Sequence, residues 1–218
     1  MAAGAEPQSP LADGCSSTGR IHFAPAVNLR RFAALTRRSW LLAGALALSL
    51  GLTACGHKES HPAKADNEGV YVDVGPLTYQ VQISRQLNPF NVEDKGYLSG
   101  VNAAPPLPDE EWFAVFLWAK NETDANHTTA NSFAIVDTQG NRYTPIAINS
   151  AVNPYAWTPQ TLKPNGTYPV PESTAYFGPT QGAELLFKLN NSVYSNRPLT
   201  LLIYPQDGSK PSTVSLDL

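Results

Sequence analysis

Reactive side chains are scarce in this chain, which has 218 residues, two cysteines and four histidines. Beyond residue 69 the only histidine is His127, in the polar stretch "NETDANHTTAN". A Ser-His-acid triad would have to use it, yet no nucleophile-elbow sequence accompanies it. His127 therefore reads as a solvent-facing loop residue. There is no HExxH, no CxxC pair and no phosphate-cradling glycine loop. Asp109, Glu110 and Glu111 could offer oxygens to Ca²⁺, but the rhythm of a calcium loop is missing. They read instead as a solubilising entry to the strand at Trp112. A carboxylate pair for glycoside hydrolysis stays open, since sequence spacing does not set spatial separation.

The group with the clearest chemistry is the Cys55 thiol. In "LSLGLTACGHKESH" the chain is small and oily up to Ala54 and charged after Cys55. Upstream, "LRRFAALTRRSW" is cationic, and "LLAGALALSLGLTA" supplies roughly 14 small or apolar residues. That run matches the hydrophobic core of an export signal and is short of the ~20 residues a spanning helix needs. Leu52, Thr53, Ala54 and Cys55 resemble a bacterial lipobox. The resemblance implies a diacylglyceryl thioether on Cys55, cleavage before it, and palmitate-type acylation of the new amino terminus. Two or three acyl chains, at about 0.8 kcal/mol per buried CH₂, hold a protein on a bilayer. Membrane lipid is thus the first expected partner, with the domain on the extracytoplasmic face of the cell membrane.

Arg37 and Arg38, in "TRRSWLL", resemble a twin-arginine export motif; an arginine-rich Sec signal is the equal alternative. Residues 1–26 have no apolar pattern and precede this signal, so translation from near Val27 or Leu29 is expected. Cys15 lies in that discarded part. The exported domain then has no thiol left for a disulfide and must rely on core burial.

Charge divides at the same point. Up to Cys55 the net charge is +3; after it, ten basic residues face sixteen acidic ones, a net −6. No basic patch for nucleic acid is present.

Residues 55–69 read as a flexible tether, with His57 and His61 solvated rather than metal-binding. From Val70 the pattern changes to short strands and turns. Leu77, Tyr79, Val81 and Ile83 alternate as one half-buried strand. Residues 112–119 are apolar on both faces, with Trp112, Phe116 and Trp118 opposed to Phe113, Val115 and Leu117, so a central strand covered on both sides is expected. Phe133, Ile135 and Val136 lead through Gln139, Gly140 and Asn141 into a returning strand from Tyr143 to Ile148, a hairpin. "AELLFKL", "LTLLIYP" and "STVSLDL" supply three more strands, and no sustained helical period occurs. The expectation is an all-β, immunoglobulin-like two-sheet sandwich over 70–218, behind a signal region (1–54) and a tether. A closed barrel is the competing architecture. Long irregular segments at 88–110 and 149–180 are either functional or disordered.

The stretches "QVQISRQLNPFNVEDKGYL", "FAIVDTQGNRYTPI" and "GAELLFKLNNSVYSNRPLTLLI" resemble actinobacterial surface lipoproteins of unassigned function, with a telokin-like, immunoglobulin-like domain. The resemblance spans nearly all of the exported region. It implies fold and anchoring, and brings no catalytic residues.

Two places could bind. Tyr155 and Trp157 lie in the proline-rich "NPYAWTPQ", where rings stack on sugars or anchor a partner, or plug the end of the sandwich, the favoured reading. Arg85, Asn88, Asp94 and Tyr97 form either a polar recognition patch or a set that satisfies itself and the loop backbone. Triplets beginning at Asn121, Asn126, Asn165 and Asn190 are read as polar surface. The functional expectation is a non-enzymatic envelope module that binds another envelope protein or assists a membrane complex. It needs no cofactor or metal. Capture of a small ligand or glycan, or an envelope hydrolase with an unrecognised site, are the alternatives.

Overall fold

Apolar residues at every second position build strands when one face can be buried, and twelve strands form among the described residues. The structure is a computed structural model that describes residues 58–216. The chain divides into two units, Met1–Cys55 and Gly56–Leu218, and everything described lies in the second. Leu52, Thr53, Ala54, Cys55, Arg37 and Arg38 are therefore outside the described residues.

One sheet has the order β1 (Lys64–Ala65), β12 (Ser212–Leu216), β11 (Leu199–Tyr204), β6 (Ser132–Val136), β7 (Arg142–Tyr143). The other runs β10 (Ala183–Asn190), β4 (Glu110–Lys120), β3 (Leu77–Leu87), β2 (Tyr71–Val74), with β9 (Thr167–Tyr168) also against β4. A two-stranded ribbon joins β5 (His127–Thr128) to β8 (Thr161–Leu162). The fold is thus the expected β-sandwich, open at its edges and not a barrel.

Its core lies between the sheets. Leu77, Tyr79, Val81, Phe113, Val115, Leu117, Leu185 and Phe187 meet Phe133, Ile135, Leu201, Ile203 and Val214 there, all buried. The opposite face of β4 is buried too: Trp112, Ala114 and Phe116 form a second cluster with Leu87, Tyr97 and Leu186. The double-sided apolar pattern of β4 thus corresponds to a central strand with a layer on each side. The outer layer comes from the two long segments. They supply helix α1 (Val92–Tyr97), helix α2 (Thr174–Phe177) and the loops carrying Val101 and Tyr155, and Ile148 joins them from the piece just before the second segment.

Three expectations need correction. The strand β3 does not alternate throughout. Its register on β4 slips between Val81, opposite Leu117, and Ile83, opposite Phe116. Gln82 is the additional residue of a β-bulge, so Ile83 turns outward and is 40% exposed. The hairpin's returning strand is only Arg142 and Tyr143, because the chain then leaves the sheet and Ile146 N donates to Leu186 O (2.7 Å) over the other one. Gly140, at φ +84°, makes the turn.

The tether is the third. Residues 58–69 are part of the sandwich. β1 pairs in parallel with β12, Thr213 N donates to Ala63 O (2.9 Å), and Ala65 is buried. Asp73 fastens the stretch before it. It accepts from His61 N (3.0 Å) and pairs with Lys58 Nζ (2.9 Å). His61 Nδ1 lies 3.4 Å from the same carboxylate, and its ring packs on Tyr71. Polar composition hid this docking, since only Ala65 contributes apolar burial.

Candidate functional site

The bulge in β3 has a direct effect on the polar residues that follow. Strict alternation would send Arg85 inward with Leu77 and Tyr79. The additional residue reverses the parity, and Arg85 emerges on the outer face, 28% exposed, beside α1. There its Nη2 donates to Asp94 Oδ1 at 2.7 Å and lies 3.3 Å from Glu93 Oε1. Asp94 is nearly sealed, its side chain 4% exposed. Its other oxygen accepts from Asn88 N (2.8 Å). The Asn88 side chain in turn accepts from Phe90 N (2.9 Å), and Asn91 caps α1 by accepting from Glu93 N (2.9 Å). The Arg85 guanidinium sits 5.6 Å from the Tyr97 ring centre.

The four residues Arg85, Asn88, Asp94 and Tyr97 do come together, and they satisfy each other and the loop backbone. A buried carboxylate is tolerable only when paired and hydrogen-bonded in this way. The recognition-patch alternative fails for Asp94 and Tyr97, which are 3% and 1% exposed.

Tyr155 and Trp157 belong to a short extended piece lying along the edge of β10. Glu184 N donates to Tyr155 O (2.7 Å) and Trp157 N to Glu184 O (2.8 Å), so Ala156 bridges Glu184 like a further strand. Residues two apart share a face in a regular strand, yet with a single bridge at Ala156 these two rings part to different clusters. Tyr155 packs outward on Tyr97, ring centres 4.6 Å apart. Trp157 packs inward against Phe133 and Tyr168 at 5.5 and 4.9 Å, and its indole N–H donates to Ala130 O (3.0 Å). Both half-buried rings pack against the fold, and the piece that carries them covers an otherwise bare strand edge.

Sequence reasoning missed Glu184. It stands on β10's outer face beneath this cover, 1% exposed. Asn153 Nδ2 donates to its Oε2 at 3.3 Å and to Tyr97 O at 2.6 Å, while Oε1 has no partner. Burial, opposed by the Asn153 hydrogen bond and by Arg85, pushes its carboxyl up to about 8. The one sequence signal was an acid inside the apolar run "AELLFKL". A raised carboxyl in a cleft marks a catalytic candidate. The neighbouring groove of about 200 Å³ is lined by Phe133, Ile146, Ile148, Ala156, Trp157 and Leu186 among others. No second titratable side chain lines it. A two-carboxylate hydrolysis therefore has no second member there.

The remaining candidates are dispersed. His127 pairs through its backbone in the β5–β8 ribbon. Glu111 is not a solubilising charge. It is buried, accepts from the Tyr194 hydroxyl (2.8 Å), and its carboxyl is raised by desolvation. Asn121 is buried rather than surface; its side chain donates to Ala125 O (2.7 Å) and Leu162 O (2.9 Å). Among the described residues no group of three or more His, Cys, Asp or Glu side chains gathers as a metal site.

No protein-family model matches the chain, and no curated protein matches it. Solved structures of similar shape come from bacteria. The yjhA protein of Bacillus subtilis is 11% identical, with a TM-score of 0.42 over 70% of this chain and 99% of that one. An uncharacterised β-sandwich protein from Clostridium difficile is 10% identical, with a TM-score of 0.38 over 74% and 99%. A candidate lipoprotein of Bacillus subtilis, ycdA, is 9% identical, with a TM-score of 0.39 over 68% of this chain and 38% of that one.

Proposed function

We propose that this is a lipid-anchored extracytoplasmic protein, acylated at Cys55, whose β-sandwich is a non-enzymatic binding or accessory module for another envelope protein. The kinship to actinobacterial surface lipoproteins belongs to the same proposal. The observation that carries it is the closed network of Arg85, Asp94 and Asn88. The polar side chains of this network are used to hold a loop. The docking of residues 58–66 agrees with anchoring at Cys55. Lys58, three residues after Cys55, already pairs with Asp73, and three residues of extended chain reach at most about 10 Å. Aromatic capture of a glycan loses its support, since Tyr155 and Trp157 are both packed against the fold.

The test is fractionation of cells expressing the full chain with Cys55 or with Cys55→Ser. The lipid anchor predicts that the native chain sediments with membranes and resists high-salt washing, whereas the variant is released to the soluble fraction. Firm membrane association of Cys55→Ser would refute acylation as the anchor.

A further inference from the structure

We propose that residues 149–155 form a latch over Glu184, closed while its carboxyl carries a proton and lifted when the carboxyl ionises. The inference needs neither the anchor at Cys55 nor a partner.

The cover is thin. Of residues 149–155 only Asn153 is buried, Tyr155 is half-buried and the other five are exposed. Few attachments hold it down. The Asn153 side chain donates to Tyr97 O (2.6 Å) and to Glu184 Oε2 (3.3 Å). The Tyr155 ring lies on Tyr97, and Tyr155 O accepts from Glu184 N (2.7 Å). Beyond them Trp157 is fixed independently, its indole N–H on Ala130 O and its ring against the core between the sheets. At the other end Asn149 N is tied to Gly100 O (2.9 Å). The stretch between Asn149 and Trp157 can thus lift without unmaking the core, in the way thinly attached surface segments open locally.

Glu184 decides whether the cover stays down. The residue is 1% exposed, and its Oε1 has no hydrogen-bond partner. Burial tolerates that oxygen in a neutral acid far better than in a carboxylate. The surrounding charges give little relief. Arg85 on β3 is taken by Asp94 and Glu93 of α1, so an ionised Glu184 is a third acid around one guanidinium. Tyr97 of α1 and Tyr155 of the cover are the other titratable groups there, and neither brings positive charge. β4 sets Phe116 opposite Glu184, and the segment after α2 brings Gly178 against the Tyr155 ring. Burial outweighs the Asn153 hydrogen bond and Arg85, and holds the carboxyl up at about 8. The proton is bound more tightly under the cover than in the lifted form, where water reaches the carboxyl. The closed form is therefore favoured in full below pH 4.5, and that preference is lost as pH climbs through 8. Lifting bares the outer edge of β10 and the Tyr97 ring, so one face of the domain changes with pH.

The experiment is hydrogen exchange of the full chain in detergent, read at single amides from pH 5 to 9 and in low urea, for the native and Glu184→Gln proteins. The Glu184 N–H reports the latch, because it loses Tyr155 O when the cover lifts. Val115 and Leu117, buried in the core, report unfolding of the whole domain. The expected opening constant at Glu184 grows about tenfold per pH unit, levels above pH 8 and does not respond to urea. In Glu184→Gln it should not change with pH. Val115 and Leu117 should open at least roughly tenfold less, and urea should promote that opening. Either of two results would overturn the proposal. One is the same pH slope in both proteins. The other is a Glu184 amide that follows Val115 and Leu117 in its urea dependence, so that the cover opens only with the whole fold. Should Glu184→Gln fail to fold, the native protein alone decides, since the latch requires a pH-steep, urea-insensitive opening at that amide.

Discussion

Replacing Glu184 by glutamine is the sharpest test of the reasoning about the covered face of β10. In the native protein the carboxyl is raised from 4.5 to about 8 by burial beneath Tyr155 and Asn153. A raised acid binds its proton more tightly in the folded chain than in the unfolded one. Its favourable contribution is therefore complete below pH 4.5 and is lost as pH climbs through 8. Within that window the native protein should lose about 1.4 kcal/mol per pH unit relative to a variant that cannot ionise there. Summed over the window, the upper limit is on the order of 5 kcal/mol, and local relaxation would bring it toward 2–3 kcal/mol. Glu184→Gln is nearly isosteric with the protonated acid and can still accept from Asn153. Urea denaturation of both proteins, followed by tryptophan fluorescence at half-unit steps from pH 4 to 9, reads the difference directly. The expected curve is flat near pH 4, rises in favour of the glutamine variant through neutrality, and levels above pH 8. A difference constant from pH 5 to 9 would refute the claim that Glu184 is held neutral by burial.

Two further outcomes test the structural roles assigned to neighbouring residues. Trp157→Ala removes a ring packed on Tyr79, Phe133 and Tyr168 and leaves Ala130 O without its donor, so urea denaturation should show a loss of about 3–5 kcal/mol; a fully stable variant would return Trp157 to the list of binding residues. Asp73→Asn should unfasten residues 58–62, seen as faster proteolytic cleavage there, at a cost of about 1 kcal/mol because the pair is partly exposed. Partial burial draws the Asp73 carboxyl upward, but His61 N, Lys58 and Thr78 together outweigh it and hold it below 3.8. The native strap is then intact above that pH and should loosen only on stronger acidification, as the carboxylate is protonated.

The parts of the fold legible in the sequence are those fixed by local alternation. Phe113, Val115 and Leu117 against Trp112 and Phe116 announced a central strand with two buried faces, and β4 is one. Asp137 through Tyr143 announced a turn, closed by Asp137 accepting from Gln139 N and Asn141 N. What stayed hidden depends on partners distant in sequence. Residues 58–66 are polar because their docking is made of hydrogen bonds to Asp73 and β12, which leave no apolar periodicity to read. Glu184 reads as one charge in a strand until Asn153 and Tyr155, about thirty residues earlier, are placed over it.

The segment from Arg85 to Tyr97 shows the same limit most clearly. Read by period two, Arg85 falls on the core side of β3, where a guanidinium could not stay. A single unpaired residue, Gln82, removes the contradiction by moving Ile83, Arg85 and Leu87 to the outer face together. Leu87 then joins the cluster with Tyr97 and Trp112, and Arg85 reaches Asp94. A bulge of this kind leaves little composition signature, yet it decides which polar residues can support α1 and hence how Phe90 is presented. The polar side chains that looked suited to recognition are spent on that support. The exposure of Phe90 and Val92 is likewise disclosed by no sequence pattern, because it follows from how the neighbouring backbone is tied down.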